Sequence, residues 1–240
     1  MRIDFNNWLI TRPIAHRGLW NEQVIENSLT AYQNAIDNGY PIEIDVYMTK
    51  DNHLVCFHDI TLDRMTGEKG YIFDKTLDEL NALSLNGTNE KIPTFEQVLS
   101  LCENKTPLLI ELKDQPNKNL IPAVIERLKN FKGEFAIQSF NPLYINKVKK
   151  LAPEFIRGIL ATECHAKHKN FFIRYLLKHM NLNFLVKPDF ISYSFTGLPL
   201  KKRKTKNKRV ICWTIENQAD YDKIKPYAQN IIFENFIPKL

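Results

Sequence analysis

Short β-branched and aromatic runs alternate with amphipathic helical stretches along most of the chain, and this alternation limits the fold more than any other feature. The strand candidates are residues 13–16, 42–49, 108–113, 135–138, 156–160, 190–193, 210–215 and 231–233. Helical patterns lie between most of them, at about 28–38, 94–103, 120–129, 142–151, 170–180 and 219–227. The first of these has Ser28 as an N-cap candidate and Gly39 just past its end. Strands separated by helices predict parallel βαβ units. Eight of them predict an α/β fold of the (β/α)8 TIM-barrel type, provided residues 54–58 are a hairpin return and not a barrel strand. An open doubly wound sheet is the main rival. The 240 residues suit a single barrel domain spanning 1–240. Residues 59–93 do not fit one βα unit. They hold Gly67, Gly70 and Gly87 and a short helical piece at 77–83, which predicts a small insertion after the second strand.

Residues two apart in a strand share a face. In Ile42-Glu43-Ile44-Asp45-Val46 the aliphatic residues take one face and two carboxylates the other. On an ordinary half-exposed strand those charges would sit in water. In a barrel the aliphatic face packs on helices and the other points inward, where two like charges are costly without a neutralising partner. A third carboxylate, Glu111, sits in the alternating run of the next barrel strand, with Lys113 on its face. Three carboxylates suit a hard divalent cation such as Mg²⁺ or Ca²⁺. Lys113 would meet an anionic substrate or pair with a carboxylate.

Asp51-Asn52 reads as a two-residue hairpin turn. That register sets Asp45 opposite His58, and cross-strand partners lie ~5 Å apart between Cβ atoms. A one-residue slip would turn His58 to the other face. His16 ends the first apolar run and is followed by Arg17-Gly18. A histidine there is structural or functional; Arg17 as a bidentate phosphate clamp favours the second. Two histidines flanking a phosphate meet the needs of acid/base phosphodiester cleavage. Trp213 lines a pocket or belongs to the core.

Charge narrows the partners. The net charge of +6 is local, because Lys201 to Arg209 (KKRKTKNKR) carries seven cations and no acid. No nucleic-acid partner is expected, since a nucleic-acid binder spreads its basic excess over a face. The run reads as a solvated loop or, with the apolar, cation-studded residues 170–186, as a peripheral contact with anionic lipid. Cys56, Cys102, Cys164 and Cys212 form no C-x-x-C pair and read as buried hydrophobes. Cys164-His165 with His168 fits no common zinc spacing. No signal peptide or membrane span is read, so a cytoplasmic location is the default expectation.

The run Ile14-Ala15-His16-Arg17-Gly18, then Glu26-Asn27-Ser28, Glu43-Ile44-Asp45-Val46, Thr49-Lys50-Asp51, and His58-Asp59 with Leu62-Asp63-Arg64 and Thr66-Gly67, resembles the glycerophosphodiester phosphodiesterase family. The resemblance continues through Ile92-Pro93-Thr94-Phe95, Glu111-Leu112-Lys113, Gln138-Ser139-Phe140 and Trp213-Thr214-Ile215, in order along nearly the whole chain. It implies a divalent metal on Glu43, Asp45 and Glu111, His16 and His58 as the acid/base pair, and phosphate contacts from Arg17 and Lys113. It also implies attack by a glycerol hydroxyl on phosphorus, release of an alcohol, and opening of a cyclic phosphate by water to give sn-glycerol 3-phosphate. Lysophospholipase D activity on lysolipids and a non-catalytic barrel binding anionic ligands are the alternatives. Departures from the family pattern lie at Ser28 and Asn52 and, more strongly, at Glu216 and residues 230–235, near the expected substrate end.

Overall fold

The computed structural model describes residues 3–163, 183–201, 205 and 208–239. The helix expected at 170–180 and the Cys164-His165-His168 group lie outside the described residues. So do residues 202–204 and 206–207 of the basic run. The strands are β1 (Ile14–His16), β2 (Ile42–Met48), β3 (Leu54–Cys56), β4 (Leu108–Leu112), β5 (Phe135–Ser139), β6 (Arg157–Ala161), β7 (Phe190–Ser194), β8 (Arg209–Ile215) and β9 (Asn230–Phe233). The described helices are α1 (Trp8–Thr11), α2 (Leu29–Asp37), α3 (Asp63–Thr66), α4 (Leu77–Ala82), α5 (Phe95–Cys102), α6 (Leu120–Asn130), α7 (Pro142–Leu151), α8 (Asn183–Val186) and α9 (Gln218–Ile224). The strand order is β1-β9-β8-β7-β6-β5-β4-β2-β3, with β1 also paired to β2. Apart from the antiparallel β3, this is the eight-stranded order of a (β/α)8 barrel, as the alternation predicts.

Backbone contacts gather into two compact units, Ala15–Phe135 and Met1–Ile14 with Ala136–Leu240. In the first, β1 and β4 both run parallel to β2. All seven residues of β2 are buried, so the strand is covered on both faces. α2 starts where the Ser28 side chain accepts a hydrogen bond from the Ala31 N–H, which satisfies one otherwise orphaned donor. The helix ends at Asn38, and Gly39 beyond it takes the left-handed conformation (φ 73°). Glycine is the usual residue at that place because it carries no Cβ. α5 opens on a capping box between Thr94 and Gln97. In the second unit, β5 to β9 form a continuous parallel series. Asn230 at the start of β9 ties down the N-terminal segment by donating to the carbonyls of Leu9 and Arg12 (3.0 and 2.6 Å).

The β2–β3 hairpin corrects one expectation. Val46 pairs with Cys56, Tyr47 with Val55 and Met48 with Leu54, one residue out of the predicted register. Asp45 therefore faces Phe57, whose N–H donates to the Asp45 carbonyl (3.0 Å). The loop has three residues, not two. Thr49 N–H donates to the His53 carbonyl (2.8 Å), and Asn52 takes the left-handed conformation (φ 66°). A three-residue hairpin loop needs that conformation at its last position. The Asp51 carboxylate accepts from Thr49 Oγ1 (2.6 Å) and Leu77 N–H (3.1 Å), which ties the loop to the start of α4. Because β3 ends at Cys56, strand alternation no longer dictates where His58 points.

Residues 59–93 carry α3, α4 and two 3-10 turns. Leu62, Met65, Ile72, Leu80, Leu85 and Ile92 pack with Tyr47, Val55 and Phe57 in one apolar cluster. The cluster anchors this segment on the β2–β3 hairpin. Cys56, Cys102 and Cys212 are buried free thiols, as expected of small hydrophobes. No helix among the described residues is long and apolar enough to cross a membrane.

Candidate active site

The first compact unit brings together residues from three neighbouring strands. The β1–β2 register sets His16 beside Glu43, and the β2–β4 register sets Asp45 beside Glu111. One carboxylate oxygen from each of Glu43, Asp45 and Glu111 lies within 4.8 Å of the other two. All three side chains are buried, Asp45 completely. His16 Nε2 is 4.0 Å from Glu43 Oε2, and the Arg17 N–H donates to that oxygen (3.2 Å). Arg17 sits at φ 57° and is followed by Gly18 at φ 85°. A Cβ on Gly18 would fall 2.8 Å from the Ala31 backbone. Only glycine, with no Cβ, lets this loop close against α2.

Three buried carboxylates require compensation. Lys113 Nζ supplies part of it, 3.1 Å from Asp45 Oδ1 and 2.9 Å from Glu111 Oε1. Arg17 Nε lies 3.7 Å from Asp45 Oδ2 and has no hydrogen-bond partner although buried. Asn27, at φ 53°, donates to Asp45 Oδ2 (3.0 Å) and accepts from the Tyr32 hydroxyl (2.8 Å). Burial opposes ionisation of Asp45, but Lys113, His58, Arg17 and His16 outweigh it and hold the carboxyl far below the usual carboxylate range. Glu43 fares differently. Burial, then the charges of Asp45 and Glu111, push its carboxyl well up, and Arg17 and Lys113 only partly offset them. Three buried carboxylates against two cations, Arg17 and Lys113, leave the cluster with negative charge in excess. The all-oxygen donor set and that excess fit a hard divalent cation.

A second constellation surrounds the first. His58 Nδ1 is 2.7 Å from Asp59 Oδ1. Arg64, on α3, donates from Nε to Asp59 Oδ2 (2.6 Å) and from Nη2 to Asp59 Oδ1 (3.1 Å). Its other edge grips Glu26, with Nη1 to Oε2 at 3.0 Å and Nη2 to Oε1 at 2.7 Å. Glu26 Oε1 also accepts from Arg17 Nη1 (2.8 Å). Burial opposes the charge on Asp59 and Glu26. His58 and Arg64 outweigh it for Asp59, and Arg64 and Arg17 for Glu26, so both carboxyls lie below their ordinary range.

The structure thus gathers His16, Arg17, Glu43, Asp45, Glu111 and Lys113 in contact, and places His58 two residues past the end of β3, held by Asp59. Arg17 and Lys113, expected at phosphate, hold acids here. Trp213 lies in the second unit, half-buried on β8 with Phe140 edge-on at 5.5 Å, and its buried Nε1 has no hydrogen-bond partner. Sequence reasoning assigned no role to Glu26, Asn27, Asp59 or Arg64. Their signal was faint: an acid directly after His58, and an arginine placed to fork two carboxylates.

A barrel with a buried acidic cluster on neighbouring strands and a histidine beside it describes a class of metal-assisted hydrolases. The sequence profile of the glycerophosphoryl diester phosphodiesterase family matches residues 16–238, and the chain belongs to that family. It is similar to a glycerophosphodiester phosphodiesterase of Caldanaerobacter subterraneus subsp. tengcongensis, 36% identical over 163 residues that cover 62% of this chain and 66% of that protein. It is also similar to YhdW of Bacillus subtilis, 30% identical over 233 residues, or 88% of this chain and 89% of that one. Among solved structures, an Oleispira antarctica phosphodiesterase in complex with the product sn-glycerol-3-phosphate matches with a TM-score of 0.79. That match has 25% identity and covers 94% of this chain and 93% of the other.

Proposed function

We propose that this protein hydrolyses glycerophosphodiesters to an alcohol and sn-glycerol 3-phosphate, with His16 and His58 as the acid/base pair and a divalent metal held by Glu43, Asp45 and Glu111. The observation that carries this reading is the buried three-carboxylate cluster with His16 beside Glu43. The family match and the product named for the Oleispira relative support the substrate class. When bound, the metal polarises the phosphoryl oxygen and makes the attacking hydroxyl more acidic. His58 has Nδ1 committed to Asp59, which leaves Nε2 as the nitrogen for proton transfer. His16, against Glu43, is the second proton-transfer group. Arg17 and Lys113 supply the positive charge that receives the phosphate.

The test gives purified protein glycerophosphocholine, glycerophosphoethanolamine and a lysophospholipid, with Mg²⁺, Ca²⁺ or EDTA, alongside His16→Ala and Glu43→Ala. Release of sn-glycerol 3-phosphate that needs metal and both side chains is expected. Metal-independent turnover, or full activity in either variant, would sink the mechanism. Turnover of the lysophospholipid alone would replace the substrate class, and no turnover at all would favour a binding role.

A further inference from the structure

We infer that Asp59 and Arg64 are positioning residues for the reaction: Asp59 fixes the His58 ring so that Nε2 meets the substrate, and Arg64 locks Asp59 and Glu26 into one frame. This rests on the proposed hydrolase reading and adds residues from outside the barrel strands to its machinery. Residues 59–93 look like an insertion with its own apolar cluster, yet they begin with Asp59 and carry Arg64 on α3. The guanidinium engages both acids through paired hydrogen bonds, four in all between 2.6 and 3.1 Å. Paired contacts of this kind fix orientation as well as distance. A lysine cannot reproduce them, because its ammonium is a single point of charge.

Each acid hands the constraint on to a different functional group. Asp59 holds His58 Nδ1 (2.7 Å). Glu26 holds Arg17 Nη1 (2.8 Å), and the Arg17 N–H in turn meets Glu43 Oε2 (3.2 Å). One side chain from the insertion therefore sets both a proton-transfer ring and the arginine that lies against the acidic cluster. A carboxylate on the far nitrogen of a histidine selects its tautomer and stabilises the imidazolium when that forms. An unanchored carboxylate would do this poorly, and Arg64 anchors it.

The experiment compares wild type, Asp59→Asn, Arg64→Ala, Arg64→Lys and the Asp59→Asn/Arg64→Ala double variant, all as full-length protein with metal. On glycerophosphocholine each single substitution is expected to lower kcat by about 10–100-fold, with KM within about threefold. The double variant is expected to be about as slow as the slower single one, because both act through one ring. Arg64→Lys should fall between wild type and Arg64→Ala, and it serves if the alanine variant does not fold. A second measurement reads the ring itself. Long-range proton–nitrogen NMR of the histidine rings, assigned with His58→Gln, should show His58 as a single Nδ1–H tautomer in wild type and as a mixture in Asp59→Asn. Multiplying losses in the double variant, or an unchanged His58 tautomer in Asp59→Asn, would overturn the inference. If wild type turns over no substrate, the hydrolase reading has failed, and the NMR comparison still decides this one.

Discussion

The two compact units share one architecture of parallel strands and helices but bury very different groups. In Ala15–Phe135 the buried polar residues include four carboxylates, Glu26, Glu43, Asp45 and Glu111. Among the described residues of the other unit they are Gln138, Ser139, Ser192, Asn230 and one charge, Arg157. Arg157 opens β6, and its guanidinium serves the chain around it by donating to the carbonyls of Pro153 and Phe155 (both 3.2 Å). Charge buried at the start of a strand here holds the backbone together. The carboxylates on strands in the first unit, Glu43 and Asp45 on β2 and Glu111 on β4, lie instead against one another. The same parallel architecture thus buries a carboxylate cluster in one unit and mostly neutral polar groups among the described residues of the other.

The comparison breaks most readily at the histidines. His16→Ala and His58→Ala should each lower kcat on glycerophosphocholine by about 10²–10⁴-fold, the usual worth of a general acid or base, at unchanged far-UV circular dichroism. Loss of less than about tenfold in both would remove the first unit's claim to the chemistry.

Metal should register in stability as well as in turnover. Mg²⁺ or Ca²⁺ at about 100 times its dissociation constant should stabilise wild type by ~2.7 kcal/mol, read as a rise in Tm, and should leave Glu43→Ala unmoved. The carboxyl of Glu43 is pushed up by burial and by the charges of Asp45 and Glu111, so metal binding there competes with a proton. Apparent affinity, measured by calorimetry, should accordingly rise with pH through that raised pKa and level off above it. A flat profile would mean that Glu43 is no ligand.

Gly158→Ala probes the neutral side. An added Cβ would run into the Phe190 ring. Overpacking of that kind should cost about 1–3 kcal/mol in urea unfolding. The metal-induced rise in Tm should survive. If it disappears together with stability, the units are not as separable as their buried groups imply.

Acid gives the smallest effect. Glu26, Asp45 and Asp59 all have folded-state pKa values depressed below the ordinary range. A depressed carboxyl contributes stability that is present above its unfolded pKa, about 4, and is lost as pH falls through the folded value. Hydrogen exchange below about pH 4 should therefore deprotect Ala15–Phe135 before the neutral strands of the other unit. Glu26→Gln should weaken that asymmetry.

Much of this was legible in the sequence because strand and helix periods are local. The eight parallel strands, the Ser28 cap of α2 and α7 at 142–151 follow from residues within a turn or two of one another. The carboxylate cluster was legible for a related reason: parallel neighbours in register bring Asp45 and Glu111 together once both strands are recognised. The hairpin shows where locality ends. Its turn residues were recognised, yet a third loop residue in the left-handed conformation shifted the register by one. The Glu26–Arg64 pair joins positions 38 apart through a segment without regular period; both residues lie in motifs of the family resemblance, but nothing local to either stretch shows that they meet.

The Tyr47 side chain belongs to the apolar cluster of residues 59–93 although its backbone continues the strand that carries Glu43 and Asp45. That shared residue makes the excursion a poor candidate for transplantation. A chimera that swaps this stretch between relatives would have to bring a partner surface for Tyr47 and an arginine reaching two acids. A graft chosen only to match loop length would fold around the wrong side chains and leave the histidine at its border without a frame.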